Sequence, residues 1–191
     1  MDGDDRDTVA RAIMDAARQA EPDISESIRG LALLTAGSLE RFGTRFKSRD
    51  SVLEKLERFR KDETPFYRLG RFNDALRYTV TYGPVVYWSS LQRLSRKVER
   101  VGYKVVGGTR GWFDTGYKGV NLTVRSPHDF DFEVQIHTPA SLAMAERTHP
   151  MYEEARKLPV GDRRRAQLDA DANQLWALVP VPLGVRMVPR W

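Results

Sequence analysis

The run Phe132-Glu133-Val134-Gln135-Ile136-His137-Thr138 alternates apolar and polar side chains. In an extended strand neighbouring side chains point to opposite faces, so Phe132, Val134 and Ile136 face a core while Glu133, Gln135 and His137 share the other surface. Solvated antiparallel strands show the same alternation, so the neighbouring elements decide whether this surface does chemistry. Asp74 stands just before a second candidate strand, Leu76 to Tyr82. If the two strands adjoin, Asp74 and Glu133 can hold one divalent cation. Magnesium takes one or two carboxylates together with substrate phosphates, and manganese suits the same oxygen donors. The alternative for Asp74, which follows Asn73, is a turn or cap residue.

Arg45 and Lys47 precede a candidate helix on which Ser51 and Lys55 stand one turn apart. Free N–H groups and the dipole at a helix start attract phosphate, and flanking cations add charge-assisted bonds, so a polyphosphate fits here. A solvated basic helix face is the alternative. Gly116-Tyr117-Lys118-Gly119 closes a glycine-rich stretch ahead of a strand, where Tyr117 can offer its ring to a nucleobase or simply pack. The chain has no Walker lysine loop, no GxGxxG fingerprint and no Ser-His-Asp candidate.

The 191 residues contain no cysteine, which excludes disulfides, thiolate zinc sites, iron–sulfur clusters and cysteine nucleophiles. With three scattered histidines, His128, His137 and His149, a metal is more naturally held by carboxylates. No apolar run approaches the roughly 18 to 20 residues of a membrane-spanning helix. The start, Met1-Asp2-Gly3-Asp4-Asp5, lacks the regions of a signal peptide, so neither a membrane partner nor targeting is expected of the chain as written. The net charge is +5, and the stretch Arg41 to Lys61, with eight basic and three acidic side chains, carries that much alone. An anionic partner is expected there.

One mixed α+β domain is the simplest arrangement of elements that could position these groups. Val9, Ile13, Ala16 and Ala20 recur at helical spacing, as do Ile24, Ile28, Leu31 and Leu34 after Glu21-Pro22, predicting two N-terminal helices within about 8–36. A third helix starts near Ser48 or Asp50, buries Val52, Leu53, Leu56 and Phe59, and ends before Thr64-Pro65. The strand Leu76 to Tyr82 stops at Gly83-Pro84 and precedes a helix carrying Leu91, Leu94, Val98 and Val101. Tyr103 to Val106 reads as a short strand, Gly107 to Gly116 as a loop, and 120–125 with 130–136 as a hairpin. Thr138-Pro139 opens a helix that Pro150 interrupts or restarts, and a helix over 163–178 and a strand near Val185 to Val188 finish the chain.

In order and spacing, Arg45-Phe46-Lys47-Ser48 with Ser51 and Lys55, Asn73-Asp74-Ala75-Leu76-Arg77, Gly116-Tyr117-Lys118-Gly119 and Glu133-Val134-Gln135-Ile136-His137-Thr138 resemble the synthetase domain of the RelA/SpoT-type alarmone synthetases. That family is nucleotidyltransferase-like and moves pyrophosphate from ATP to the 3′-hydroxyl of a purine nucleotide. The resemblance covers residues 40–158 and implies a mixed sheet flanked by helices, with the catalytic core there and a C-terminal helix and strand over 162–191. It implies that Arg45, Lys47, Ser51, Lys55 and Arg77 bind ATP, that Asp74 and Glu133 are catalytic and hold Mg2+ (or Mn2+), and that Tyr117 stacks on the acceptor base. Asn121, Gln135 and His137 are further acceptor-site candidates.

Where the family commonly has a lysine four residues before the tyrosine, a histidine four after it and an arginine in the last motif, this chain has Phe113, Asn121 and His137. The wording around Asp74, Tyr117 and Tyr152-Glu153-Glu154 is similar to the small secreted or toxin-associated branch. That branch implies (p)ppApp as well as (p)ppGpp products and an immunity protein as partner if the chain is a toxin. A tRNA 3′ end as acceptor is the second enzymatic reading, and an inactive nucleotide- or RNA-binding module the third. The remaining residues leave no room for a hydrolase or long regulatory domain.

Overall fold

A computed structural model describes residues 3–58 and 72–185. Helix α1 spans Gly3–Leu34 without a break, with Pro22 inside it, where the sequence predicts two helices. The buried stripe explains the continuity. Val9, Ile13, Ala17, Ile24, Ile28 and Leu31 keep helical phase across the proline, which lies exposed on the far side, while Ala16 and Leu34 fall off the stripe and are exposed too. Strand β1 (Ser38–Glu40) and a single 3-10 turn (Phe42–Thr44) lead into helix α2 (Arg49–Arg58). Ser48 caps α2, its Oγ accepting the Ser51 N–H at 3.2 Å. Val52 and Leu56 are buried as expected; Phe59 and the predicted end before Thr64-Pro65 lie outside the described residues.

Strand β2 (Arg77–Thr81) is followed by helix α3 (Tyr87–Arg100) and strand β3 (Lys104–Arg110). The first half of the expected glycine loop is therefore strand. Gly107 and Gly108 pair with Thr123 and Leu122 of β4 after a register shift, because the partner's backbone groups outweigh the poor strand propensity of glycine. Val101, expected on the α3 stripe, is exposed. Strands β4 (Val120–Arg125) and β5 (Asp131–His137) form the predicted hairpin. Helix α4 (Pro139–Ala155) opens on a Thr138/Ser141 capping box and runs through Pro150. Helix α5 spans Arg163–Ala177. Of the predicted terminal strand only Val185 lies within the described residues, and it sits in a turn.

The sheet order is β1-β2-β5-β4-β3, with β2 and β5 parallel and every other pair antiparallel. Tyr78, Val80, Leu122, Val124, Phe132, Val134 and Ile136 bury one face. Helices α1 and α3 cover it, tied by hydroxyl contacts from Ser25 and Thr35 to Tyr78 and Tyr82 at 2.7 Å and from Tyr87 to the Ile136 carbonyl at 2.8 Å. The other face carries Arg77, Thr79, Asn121, Thr123, Glu133, Gln135 and His137 in register. None of the described helices is long and apolar enough to cross a membrane.

Candidate active site

The parallel pairing of β2 and β5 sets Arg77 beside Glu133 and Thr79 beside Gln135. It thereby supplies the adjacency on which the sequence-based metal site depends. Asp74 lies just ahead of β2, and its charge acts on Glu133. Burial pushes the Glu133 carboxyl up, Arg77 pulls it down, and Asp74 raises it further; the net direction is up. The Gln135 amide donates to Glu133 Oε2 at 2.9 Å.

Asp74 is held differently. Lys47 Nζ donates to its Oδ2 at 2.8 Å and Lys55 Nζ to its Oδ1 at 2.5 Å. Burial works to raise this carboxyl, but Lys55 and Lys47 outweigh burial and hold it below the ordinary carboxylate range. The segment Arg45 to Lys47 reaches Asp74 by running antiparallel to Ala75–Arg77, with the Lys47 N–H on the Ala75 carbonyl at 3.0 Å and a bridge between Phe46 and Leu76. Lys55 comes from the last turn of α2 and lies over the Phe72 ring at 4.6 Å.

Two carboxylates near enough for the charge of Asp74 to raise Glu133 suit a hard divalent cation, which would relieve that repulsion. Among the described residues no three acidic or histidine side chains cluster as a metal site would; Asp74 and Glu133 are a pair whose charges interact. Their oxygen chemistry fits Mg2+ or Mn2+.

Tyr117 comes from the loop between β3 and β4, which the Gly111 N–H to Gly119 carbonyl bond (2.7 Å) and the Trp112 N–H to Tyr117 carbonyl bond (3.0 Å) close. Its hydroxyl donates to Asn121 Oδ1 at 2.8 Å and lies 2.9 Å from His137 Nε2. Its ring meets His137 and Trp176 edge-on, both at 5.5 Å. Burial, and then the Glu133 charge, raise the Tyr117 hydroxyl strongly, so it remains a neutral donor.

Lys47, Lys55, Asp74, Arg77, Glu133, Gln135, Tyr117, Asn121 and His137 therefore converge on one sheet face. Arg45 and Ser51 are set apart. The Arg45 Nε donates to Glu21 of α1 at 2.6 Å and its guanidinium stacks on Phe42 at 4.1 Å, while Ser51 accepts from the Ser48 hydroxyl at 2.9 Å. His137 is fully buried, with Ser141 of α4 on its ring and Trp176 of α5 against the neighbouring Tyr117, whereas Glu133 and Gln135 on the same face stay partly exposed. Sequence reasoning missed Glu21, Ser141 and Trp176. Ser141 carried a signal as the third residue after the Thr138 cap; a tryptophan late in α5 carried none.

No protein-family model matches the chain, and no curated protein matches it. Solved structures do. The Type VI effector Tas1, solved in complex with its immunity protein, superposes with a TM-score of 0.59 at 17% identity, covering 93% of this chain and 96% of that one. Small alarmone synthetase 1 from Bacillus subtilis, solved with its product pppGpp, gives 0.57 at 17% identity over 85% and 88%. A GTP pyrophosphokinase family protein from Streptococcus pneumoniae gives 0.59 at 16% identity over 88% of each chain. The chain has the small alarmone synthetase fold. Within it, the segments whose motifs resemble that family are those that bring Asp74, Glu133 and Tyr117 together.

Proposed function

We propose that this chain is a pyrophosphokinase that transfers the β,γ-pyrophosphate of ATP to the 3′-hydroxyl of a purine nucleotide, yielding AMP and a (p)ppApp- or (p)ppGpp-type product. The observation that carries the reading is the pairing of Asp74 and Glu133 at the adjoining ends of β2 and β5, ringed by Lys47, Lys55 and Arg77 and flanked by Tyr117. Such cations neutralise charge on a polyphosphate, and positioning with charge neutralisation supplies most of the rate in phosphoryl-type transfers.

In this reading Lys47, Lys55 and Arg77 hold the triphosphate, with Ser51 and Arg45 at the entrance to α2. Tyr117 stacks on the acceptor base, and Asn121 and Gln135 face the acceptor. The 3′-oxygen attacks the β-phosphorus, the bond from that phosphorus to the α–β bridging oxygen breaks, and AMP leaves with that oxygen. Glu133 takes the 3′-hydroxyl proton. Asp74 and Glu133 would hold Mg2+, which supplies charge neutralisation at the phosphates when bound. The likeness to Tas1, an effector solved with an immunity protein, supports an immunity protein as a partner of this chain.

The test is incubation with Mg2+ and γ-labelled ATP, alone or with ADP, GDP, GTP or tRNA. Label in a 3′-pyrophosphorylated nucleotide, with AMP formed in equal amount, is expected, and Glu133→Gln should lose at least about a hundredfold in turnover. Intact ATP in every arm, or wild-type turnover in Glu133→Gln, would refute the proposal; label in tRNA alone would replace the acceptor.

A further inference from the structure

The side chains beneath Tyr117 form a continuous chain. Asn121 Oδ1 only accepts, so the Tyr117 proton points to it and the Tyr117 oxygen takes a proton from His137 Nε2. His137 Nδ1 is then a lone pair and accepts from Ser141 Oγ at 3.0 Å. Ser141 Oγ in turn accepts the Thr138 N–H at 3.0 Å. Turning the Asn121 amide over reverses the links between side chains without breaking one, since Ser141 Oγ, still accepting the Thr138 N–H, can then donate to the Thr138 carbonyl at 3.2 Å. Either way one neutral histidine satisfies both neighbours, as its complete burial requires.

Three further contacts stiffen this chain. A Cβ on Gly119 would lie 2.6 Å from Tyr117 Oη and 2.8 Å from His137 Cε1, so glycine there lets the two side chains meet. At the other end of the loop, Trp112 Nε1 donates to Tyr87 Oη at 3.0 Å, and Tyr87 donates to the Ile136 carbonyl. The loop is thus pinned to two successive residues of β5, Ile136 and His137. Trp176 of α5 closes on the Tyr117 ring edge-on.

Resting on the function proposed above, we infer that His137 is a positioning residue for the acceptor: linked to Ser141 on α4, it fixes the Tyr117 ring as a preformed platform for a purine base. It does not touch the substrate, since both its nitrogens are engaged within the protein. A platform ordered during folding need not be ordered on binding, and immobilising one such side chain is worth up to about tenfold in affinity.

The experiment compares wild type with His137→Phe, which keeps a buried ring and deletes both links, and His137→Gln, which restores a donor toward Tyr117. Calorimetric affinity for GDP and ADP is read beside separate KM values for ATP and acceptor. Acceptor Kd and KM should rise roughly tenfold in the Phe variant, with KM for ATP and kcat at saturation within about twofold, and Gln should recover most of the loss. Should His137→Phe not fold, Tyr117→Phe, which keeps the ring and removes only the hydroxyl, should give the same selective rise. Unchanged acceptor affinity in a folded His137→Phe or Tyr117→Phe overturns the inference, as does an equal rise in both KM values. A wild type that transfers no label and binds neither nucleotide fails at the level of the function, whereas one that transfers label while the variants bind normally fails only here.

Discussion

Acidification should weaken this fold through His137 before it does so through most of its carboxylates. Burial lowers the ring's pKa from 6.5 to about 4, with Arg41 opposing a second positive charge and the Lys118 backbone contact working the other way. The unfolded chain therefore binds more protons than the folded one between these two values. The stabilising contribution is complete above the unfolded pKa and is lost as pH falls toward the folded one. Over the fall from pH 7 to pH 5 the loss is about 2 kcal/mol, and by pH 4 it is about 3 kcal/mol. Other groups titrate in the same range. Glu133, raised in the folded state, gains stability as pH falls through its window, while Asp74 and Glu21, lowered, lose theirs only at the acid end. The clean quantity is thus the difference between wild type and His137→Phe. Urea unfolding followed by tryptophan fluorescence at half-unit steps should give a difference that falls with this slope between pH 6.5 and 4. A flat difference would refute the assignment of a buried, neutral His137.

Three further outcomes follow from particular contacts. Pro22→Ala should raise stability by up to about 3 kcal/mol, since it restores an N–H for the Arg18 carbonyl at an exposed site within α1, and an unchanged Tm would contradict a continuous helix. Gly119→Ala should cost about 1–3 kcal/mol through overpacking and weaken acceptor binding, because its methyl would intrude on Tyr117 and His137; wild-type stability and KM would count against the packing described. The double variant Lys47→Gln/Lys55→Gln should bind Mn2+ several-fold more tightly than wild type in the absence of nucleotide, as followed by electron paramagnetic resonance; equal affinity would show that the lysines do not compete for Asp74.

Much of this arrangement was legible from residue order because strand alternation is a strong signal. The β5 pattern placed Glu133, Gln135 and His137 on one face, and the β4–β5 hairpin and the Thr138 cap follow from local chemistry. What local chemistry could not fix was pairing. That β2 lies parallel to β5, and so sets Asp74 against Glu133, depends on a crossover through α3, β3 and β4. The errors share a cause as well. Pro22, Pro150, Gly107 and Gly108 were read as punctuation, yet a continuous buried stripe in α1, the continuous turns of α4 and the β4 backbone beside β3 each overrode local propensity. Arg45 illustrates a different blind spot: its ion pair with Glu21 spans 24 residues, a separation that no spacing rule reads.

The two lysines on Asp74 give the site a built-in counter-ion supply. Each ammonium is tethered by its own backbone, so its local concentration at the carboxylate far exceeds that of any dissolved cation. A dissolved metal competing for Asp74 by itself works against that tether, whereas a triphosphate offers both lysines a new anion as it arrives. On the function proposed above, the site would act as an ion exchanger whose two halves turn over together: the fixed cations would pass to the nucleotide in the same event that frees the carboxylate. Loading of metal and loading of ATP would then be one equilibrium, and free magnesium in the surrounding solution would be poorly able to occupy the centre in advance.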